Sequence, residues 1–152
     1  MLISSDWRKV AMVDASVVAS KLRDLGDWIA RVGAHLPSDA SALAANRDAL
    51  DLVSFNLMLA VQVCLDIASH LIADESWPPA GSLGEAFQRL GEQGVISSAT
   101  AAALRRAAGL RNVVAHGYAA ADPDRLYAAA SEGLIDLQRF ASEVSAWVRG
   151  RT

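Results

Sequence analysis

The sequence predicts an all-α fold, a single-domain bundle of about four long helices and one short helix. Alanine and leucine dominate the chain, β-branched residues show no strand-like alternation, and the prolines lie only at apparent element boundaries. The 152 residues, 53% of them hydrophobic, suit one domain with a well-filled core. Residues 1–152 are therefore expected to form one unit.

Apolar residues at helical spacing predict two long helices in the N-terminal half. The first should cover roughly residues 14–35. The second, roughly residues 45–72, is apolar on nearly every side, which is typical of a buried central helix. Its polar interruptions Gln62, Asp66 and His70 recur every four residues, so they share one face, and a solvent-facing edge is the favoured interpretation.

Capping residues predict three further helices. Ser82, with Glu85 three residues later, marks the start of a short helix. Ser97 or Ser98 can cap an alanine-rich helix that leads into the charged segment discussed below. Asp122, followed by a proline at the first helical position, predicts the start of the last long helix.

Charge and composition exclude several classes of protein. Fourteen Lys and Arg against seventeen Asp and Glu give a net charge of −3, so any nucleic-acid contact must be local. The single cysteine, Cys64, lies in an apolar run and is expected to be a buried small hydrophobe. No secretory signal is visible, and the apolar stretch between Asp51 and Asp66 is shorter than the roughly 18 residues of a membrane span. A soluble cytoplasmic protein without a membrane partner is expected.

The segment that runs from Arg111 to Tyr118 concentrates the side chains that phosphoester chemistry needs. Arg111 offers a permanently charged planar fork for a phosphate, and His116 can exchange a proton near neutral pH. If Gly117 ends the helix, the negative end of the helix dipole favours the protonated imidazole of His116. With RNA as the phosphoester, cleavage would not require a metal, because the ribose 2′-hydroxyl supplies the nucleophile. DNA lacks this hydroxyl.

Arg111 and His116 do not converge on one straight helix, because five residues place them about 140° apart around its axis. A break in the helix or a two-fold dimer could bring them together, and the dimer is favoured. Arg105 and Arg106 precede this segment and could add a basic patch, although exposed arginines on a helix are common. On the Arg and His alone, a surface charge pair or a helix cap would be the simpler interpretation.

The longer segment, Leu-Arg-Asn-Val-Val-Ala-His-Gly-Tyr at residues 110–118, resembles the HEPN superfamily, specifically its HepT-like (DUF86) branch. The signature of that branch is Arg, four residues, His, one residue, Tyr, which matches Arg111, His116 and Tyr118. The resemblance covers roughly residues 45–148. It implies a metal-independent, homodimeric endoribonuclease toxin with Arg111 and His116 as the catalytic pair in a groove between protomers.

The same resemblance implies a partner, an MntA-like minimal nucleotidyltransferase antitoxin that transfers AMP onto Tyr118. A bulky anionic adduct there would block RNA entry and compete for Arg111. Without the resemblance, Tyr118 would be a half-buried ring with its hydroxyl satisfied locally. Asn112 is a candidate contact to substrate, and Asp66 could orient Arg111.

Two further expectations concern ligands and the alternative function. The three histidines and Cys64 are scattered along the chain with no metal-type pairing, so no metal site is expected. No cofactor is expected either. His35 is interpreted as a helix cap and His70 as part of the polar stripe. A non-catalytic helical module that binds RNA, a nucleotide or another protein remains the alternative, because a retained motif does not prove turnover.

Overall fold

The computed structural model describes the backbone of residues 3–115 and 122–151, and the side chains of residues 15–111 and 122–151. Every regular element in this part of the chain is a helix, which confirms the all-α prediction. The helices are α1 (Ile3–His35), α2 (Ala40–Ala45), α3 (Arg47–Asp74), α4 (Leu83–Glu92), α5 (Ser98–Ala115) and α6 (Pro123–Gly150). Four of them are long, and α4 is the short helix that the sequence predicted.

Two features of the N-terminal half differ from the prediction. The backbone of α1 is helical from Ile3, well before the predicted start near residue 14. The six-residue α2 was not predicted, because it is too short to show apolar periodicity. It forms where Asp39 accepts a hydrogen bond from the amide of Ala42 at 2.8 Å, and Asn46 both ends α2 and caps α3.

The predicted caps of the later helices are confirmed. Ser82 Oγ accepts from the amide of Glu85 at 3.2 Å at the start of α4. Of the two candidate caps for α5, Ser97 is the one that accepts, from the amide of Thr100 at 3.1 Å. Asp122 Oδ1 accepts from the amide of Arg125 at 3.1 Å, and a proline follows Asp122 as the first residue of α6.

Helix α3 is the centre of the bundle and packs against each of the other five helices. Its buried residues lie on several sides of the helix, as its all-round apolarity predicts. Phe87 of α4 and Phe140 of α6 complete the core beside it, with their rings edge to face and centroids 5.9 Å apart.

The apolarity of α3 also bears on the membrane question. By length and composition, α3 is the one helix in the described part of the chain that could cross a bilayer. The sequence alone did not suggest this, because the charge-free stretch between Asp51 and Asp66 is too short for a span. Half of its most apolar stretch is buried inside the bundle. The core helix of a folded bundle meets the same criterion, so this observation is weak evidence for a membrane span.

Candidate functional site

Arg111 lies in the C-terminal half of α5 and is half-buried against α3. It continues the buried stripe of Leu104 and Ala108, because positions four and seven residues after Leu104 fall on the same helix face. Its Nη2 donates a hydrogen bond to Oε1 of Gln62 at 2.8 Å, and its Nε atom is buried. One edge of the guanidinium is therefore held against the central helix.

Gln62 connects Arg111 to two further charged side chains. The Nε2 of Gln62 donates to Asp66 Oδ1 at 3.0 Å, one helical turn along α3. The Nζ of Lys21 on α1 lies 3.8 Å from Asp66 Oδ2. Polar side chains from α5, α3 and α1 thus form one continuous chain of contacts.

These polar contacts correct the interpretation of the polar stripe on α3. A solvent-facing edge is wrong for Gln62, which is half-buried between Arg111 and Asp66. It is partly right for Asp66, whose side chain is 43% exposed. The proposed orienting effect of Asp66 on Arg111 stays a prediction, and the structure supplies a route for it through Gln62.

A cleft of about 430 Å³ lies between α5 and α6, with α3 at its base. It exists because both helices present small residues to it, so their backbones are not bridged by bulky side chains. These residues are Ala103, Ala107 and Gly109 on α5, and Ala128, Ala129 and Gly133 on α6. The cleft is far larger than the space needed for one water molecule and suits a small ligand or part of a strand.

Charged side chains give this cleft a polar lining. Arg106 and Arg111 contribute from α5, and Arg125 contributes from the first turn of α6. Glu132 and Asp136 line it farther along α6. The protein has a net charge of −3, so a site for an anion must depend on a local group of basic residues. The three arginines form such a group.

The two neighbouring arginines that the sequence grouped as one patch point in different directions. Arg106 lines the cleft with Arg111. Arg105 lies over α4 instead, where a Cβ added to Gly84 would be 3.7 Å from its Nε. Arg105 is therefore not among the residues that line the cleft. Its role as a supporting residue stays a prediction.

Several residues of the predicted site lie outside the described part of the chain. These are His116, Tyr118 and the side chain of Asn112. Their roles stay predictions. The helices that precede and follow this segment, α5 and α6, form the two walls of the cleft. Among the described residues, no group of three His, Cys, Asp or Glu side chains could hold a metal ion.

The sequence did not single out the α6 wall of the cleft. Arg125, Ala128, Ala129, Glu132, Gly133 and Asp136 recur at intervals of three and four residues. Such spacing identifies one helix face, and its small and charged residues distinguish it from the apolar core face. Nothing in the sequence says that this face lies opposite Arg106 and Arg111, because that depends on how α5 and α6 pack.

The fold and the site together define an all-α helical bundle whose cleft between α5 and α6 is lined by three arginines and two carboxylates. A family model described as Ribonuclease HepT-like matches residues 25–144, most of the bundle. The chain therefore belongs to the HepT-like family, as the motif at residues 110–118 indicated.

Known relatives cover most of the chain. The mRNA nuclease HepT of Shewanella oneidensis is 23% identical over 130 residues, which are 86% of this chain and 97% of that protein. Among solved structures, a toxin–antitoxin complex with AMP-PNP contains a chain of similar fold, with a TM-score of 0.80, 22% identity and coverage of 86% and 98%. A tri-AMPylated Shewanella oneidensis HEPN toxin in complex with an MNT antitoxin gives a TM-score of 0.78, 23% identity and coverage of 86% and 97%. At these identities the solved structures establish the shared fold.

Proposed function

We propose that this protein is the endoribonuclease toxin of a toxin–antitoxin pair, cleaving RNA without a metal ion. The observation that carries the proposal is the position of Arg111, held by Gln62 at the edge of a basic cleft and five residues before His116. Membership of the HepT-like family supports it, as does the similarity to an mRNA nuclease. RNA is the proposed substrate and DNA is not, because the reaction uses the 2′-hydroxyl.

In the proposed reaction, the ribose 2′-oxygen attacks the adjacent phosphorus as the bond from phosphorus to the 5′-oxygen breaks. The products are a 2′,3′-cyclic phosphate and a 5′-hydroxyl end. Arg111 binds the phosphate and stabilises the charge that develops on its oxygens. The 2′-hydroxyl loses its proton to water as it attacks, and His116 donates a proton to the 5′-oxygen, which leaves as a hydroxyl.

We propose that two copies of the chain form the working enzyme. On one straight helix Arg111 and His116 would lie about 140° apart, so a two-fold groove can supply one group from each protomer. Light scattering should give the mass of a dimer. Mixing Arg111→Ala with His116→Ala protein should then restore part of the activity, because each dimer that contains one protomer of each variant has one intact Arg–His pair.

The reaction is tested with purified protein and a labelled single-stranded RNA. Wild-type protein should cleave in the presence of EDTA, and both Arg111→Ala and His116→Ala should reduce cleavage at least a hundredfold without loss of folding. A matched strand with 2′-deoxyribose throughout should stay intact. RNA binding without cleavage by the wild type would favour the non-catalytic module, and unchanged cleavage by His116→Ala would exclude the proposed mechanism.

We also propose an MntA-like nucleotidyltransferase as the antitoxin, with AMP transfer onto the hydroxyl of Tyr118. The tyrosine oxygen attacks the α-phosphorus of ATP, pyrophosphate leaves, and the tyrosine proton is lost. Toxin incubated with the partner and ATP should gain one or more AMP units in intact mass and lose RNase activity. A mass gain that persists in Tyr118→Phe would assign the modification to another residue. Because RNA and antitoxin meet in the cytoplasm, we infer a cytoplasmic location.

A further inference from the structure

We infer that Gln62 is a positioning residue that holds Arg111 through a neutral acceptor, so that this contact itself places no opposing charge beside the guanidinium that is proposed to bind the RNA phosphate. The inference rests on the proposed function, but it concerns a residue outside the motif. Gln62 reaches Arg111 from another helix, α3, with a hydrogen bond of 2.8 Å. Both side chains are half-buried, so this contact is partly shielded from competing water.

The orientation of the Gln62 amide follows from its two neighbours. An ionised carboxylate only accepts hydrogen bonds, so the amide nitrogen must face Asp66, and it lies 3.0 Å from Asp66 Oδ1. The amide oxygen then faces Arg111, which only donates. The reverse orientation would place two donors together and two acceptors together. Asp66 therefore fixes which end of Gln62 meets the guanidinium.

The neutrality of Gln62 matters for binding an anion. A carboxylate at this position could form a bidentate ion pair with Arg111 and neutralise its charge. An amide oxygen fixes the guanidinium and carries no net charge. Asp66 supplies the negative charge that orients the amide from one helical turn away, and Lys21 at 3.8 Å partly balances it.

The test is Gln62→Glu, which changes one neutral group to an acid with almost no change in shape. The matched control is Gln88→Glu on α4, where Gln88 also donates to an acid four residues later, Glu92, but at an exposed site away from the cleft. Both variants place two acids four residues apart on a helix, so the repulsion between like charges should destabilise both to a similar extent. Only Gln62→Glu places a carboxylate against Arg111.

Binding is measured with a single-stranded 2′-O-methyl RNA, which cannot supply the attacking hydroxyl. Gln62→Glu should weaken binding by roughly 10- to 100-fold, while Gln88→Glu should stay within about twofold of the wild type. In an Arg111→Ala background, Gln62→Glu should have little further effect, because its target is absent. Equal binding by the two glutamate variants, or a full effect without Arg111, would overturn the positioning role.

A second variant, Gln62→Met, keeps the length of the side chain and removes both polar ends, and it serves if Gln62→Glu does not fold. It should lower kcat by about tenfold or more with a smaller change in KM, since Arg111 keeps its charge but loses the hydrogen bond to Gln62 that orients it. An unchanged kcat would overturn the inference. Wild-type protein that neither binds nor cleaves RNA would instead overturn the proposed function, and the role of Gln62 with it.

Discussion

Thr100 Oγ1 donates a hydrogen bond to Glu143 Oε2 at 2.6 Å and thereby connects the first turn of α5 to the C-terminal half of α6. The other oxygen, Glu143 Oε1, accepts from the amide of Ser97 at 2.8 Å. The carboxylate also lies at the N-terminal end of α5, where the helix dipole favours negative charge. Glu143 therefore joins the two helices that form the walls of the cleft.

These contacts change the acidity of Glu143. Partial burial by itself raises the pKa of a carboxyl group, but the hydrogen bonds from Thr100 and Ser97, together with the charge of Arg139, outweigh it and lower the pKa below its ordinary value of 4.5. A group with a lowered folded-state pKa stabilises the fold above its unfolded pKa. That stabilisation is lost as the pH falls through the folded-state pKa.

Replacing Glu143 by glutamine should therefore destabilise the protein in a pH-dependent way. At pH 7 we expect a loss of about 1 kcal/mol in the free energy of unfolding, at the low end for charged hydrogen bonds because the carboxylate is only partly buried. The difference from wild type should shrink as the pH falls below 4.5. Urea unfolding across this pH range measures it, with Glu132→Gln, exposed on the same helix, as the control. A difference independent of pH would contradict the assigned cause.

Cys64 should be inert in the native protein. Its side chain is fully buried in α3, and this burial raises the pKa of the thiol well above its ordinary range. Because it is the only cysteine in the chain, a thiol reagent reports on it alone. Ellman's reagent at pH 8 should react slowly with the folded protein and within seconds after denaturation. Rapid reaction of the native protein would show that α3 opens locally.

The sequence predicted the fold well where local signals were strong. Ser82 and Asp122 cap the helices that they were expected to cap, because an N-cap acts through its own neighbouring amides. The short helix α2 was missed for the opposite reason. Its caps, Asp39 and Asn46, are single polar residues without an apolar stripe between them, and such residues also occur in ordinary turns.

The candidate site was predictable only in part, because its other half depends on tertiary packing. The motif identified Arg111 from the sequence. Its neighbour Gln62 belongs to a polar stripe that helical spacing alone could place at either solvent or another helix, and the packing of α5 on α3 decides between them. Likewise, Arg105 and Arg106 differ by about 100° around α5, so adjacent positions in the sequence lead to different surroundings.

The separation of these two arginines predicts unequal effects on RNA binding. Arg106→Ala should weaken binding several-fold and flatten the dependence of log K on log salt by about 0.7, as expected for the loss of one phosphate contact on a single strand. Arg105→Ala removes the same charge from the same helix but outside the cleft, so binding should change by less than about twofold. Fluorescence anisotropy at several salt concentrations measures both. Equal losses would mean that net charge, not the cleft, governs binding.

Filling the cleft should block the enzyme without unfolding it. Ala128 is exposed on α6 and lines the cleft, so a larger side chain can enter the open space without displacing the core. We expect part of the RNA strand to lie in the cleft that Arg111 borders, so the ring of Ala128→Trp should lower RNA cleavage at least tenfold. Ala146→Trp, exposed on the same helix but outside the lining, is the matched control and should cleave normally. The free energy of unfolding of both variants should lie within about 1 kcal/mol of the wild-type value. On an exposed helix surface, tryptophan lowers helix stability by only a few tenths of a kcal/mol relative to alanine. Normal cleavage by folded Ala128→Trp would show that RNA takes a path outside the space between α5 and α6.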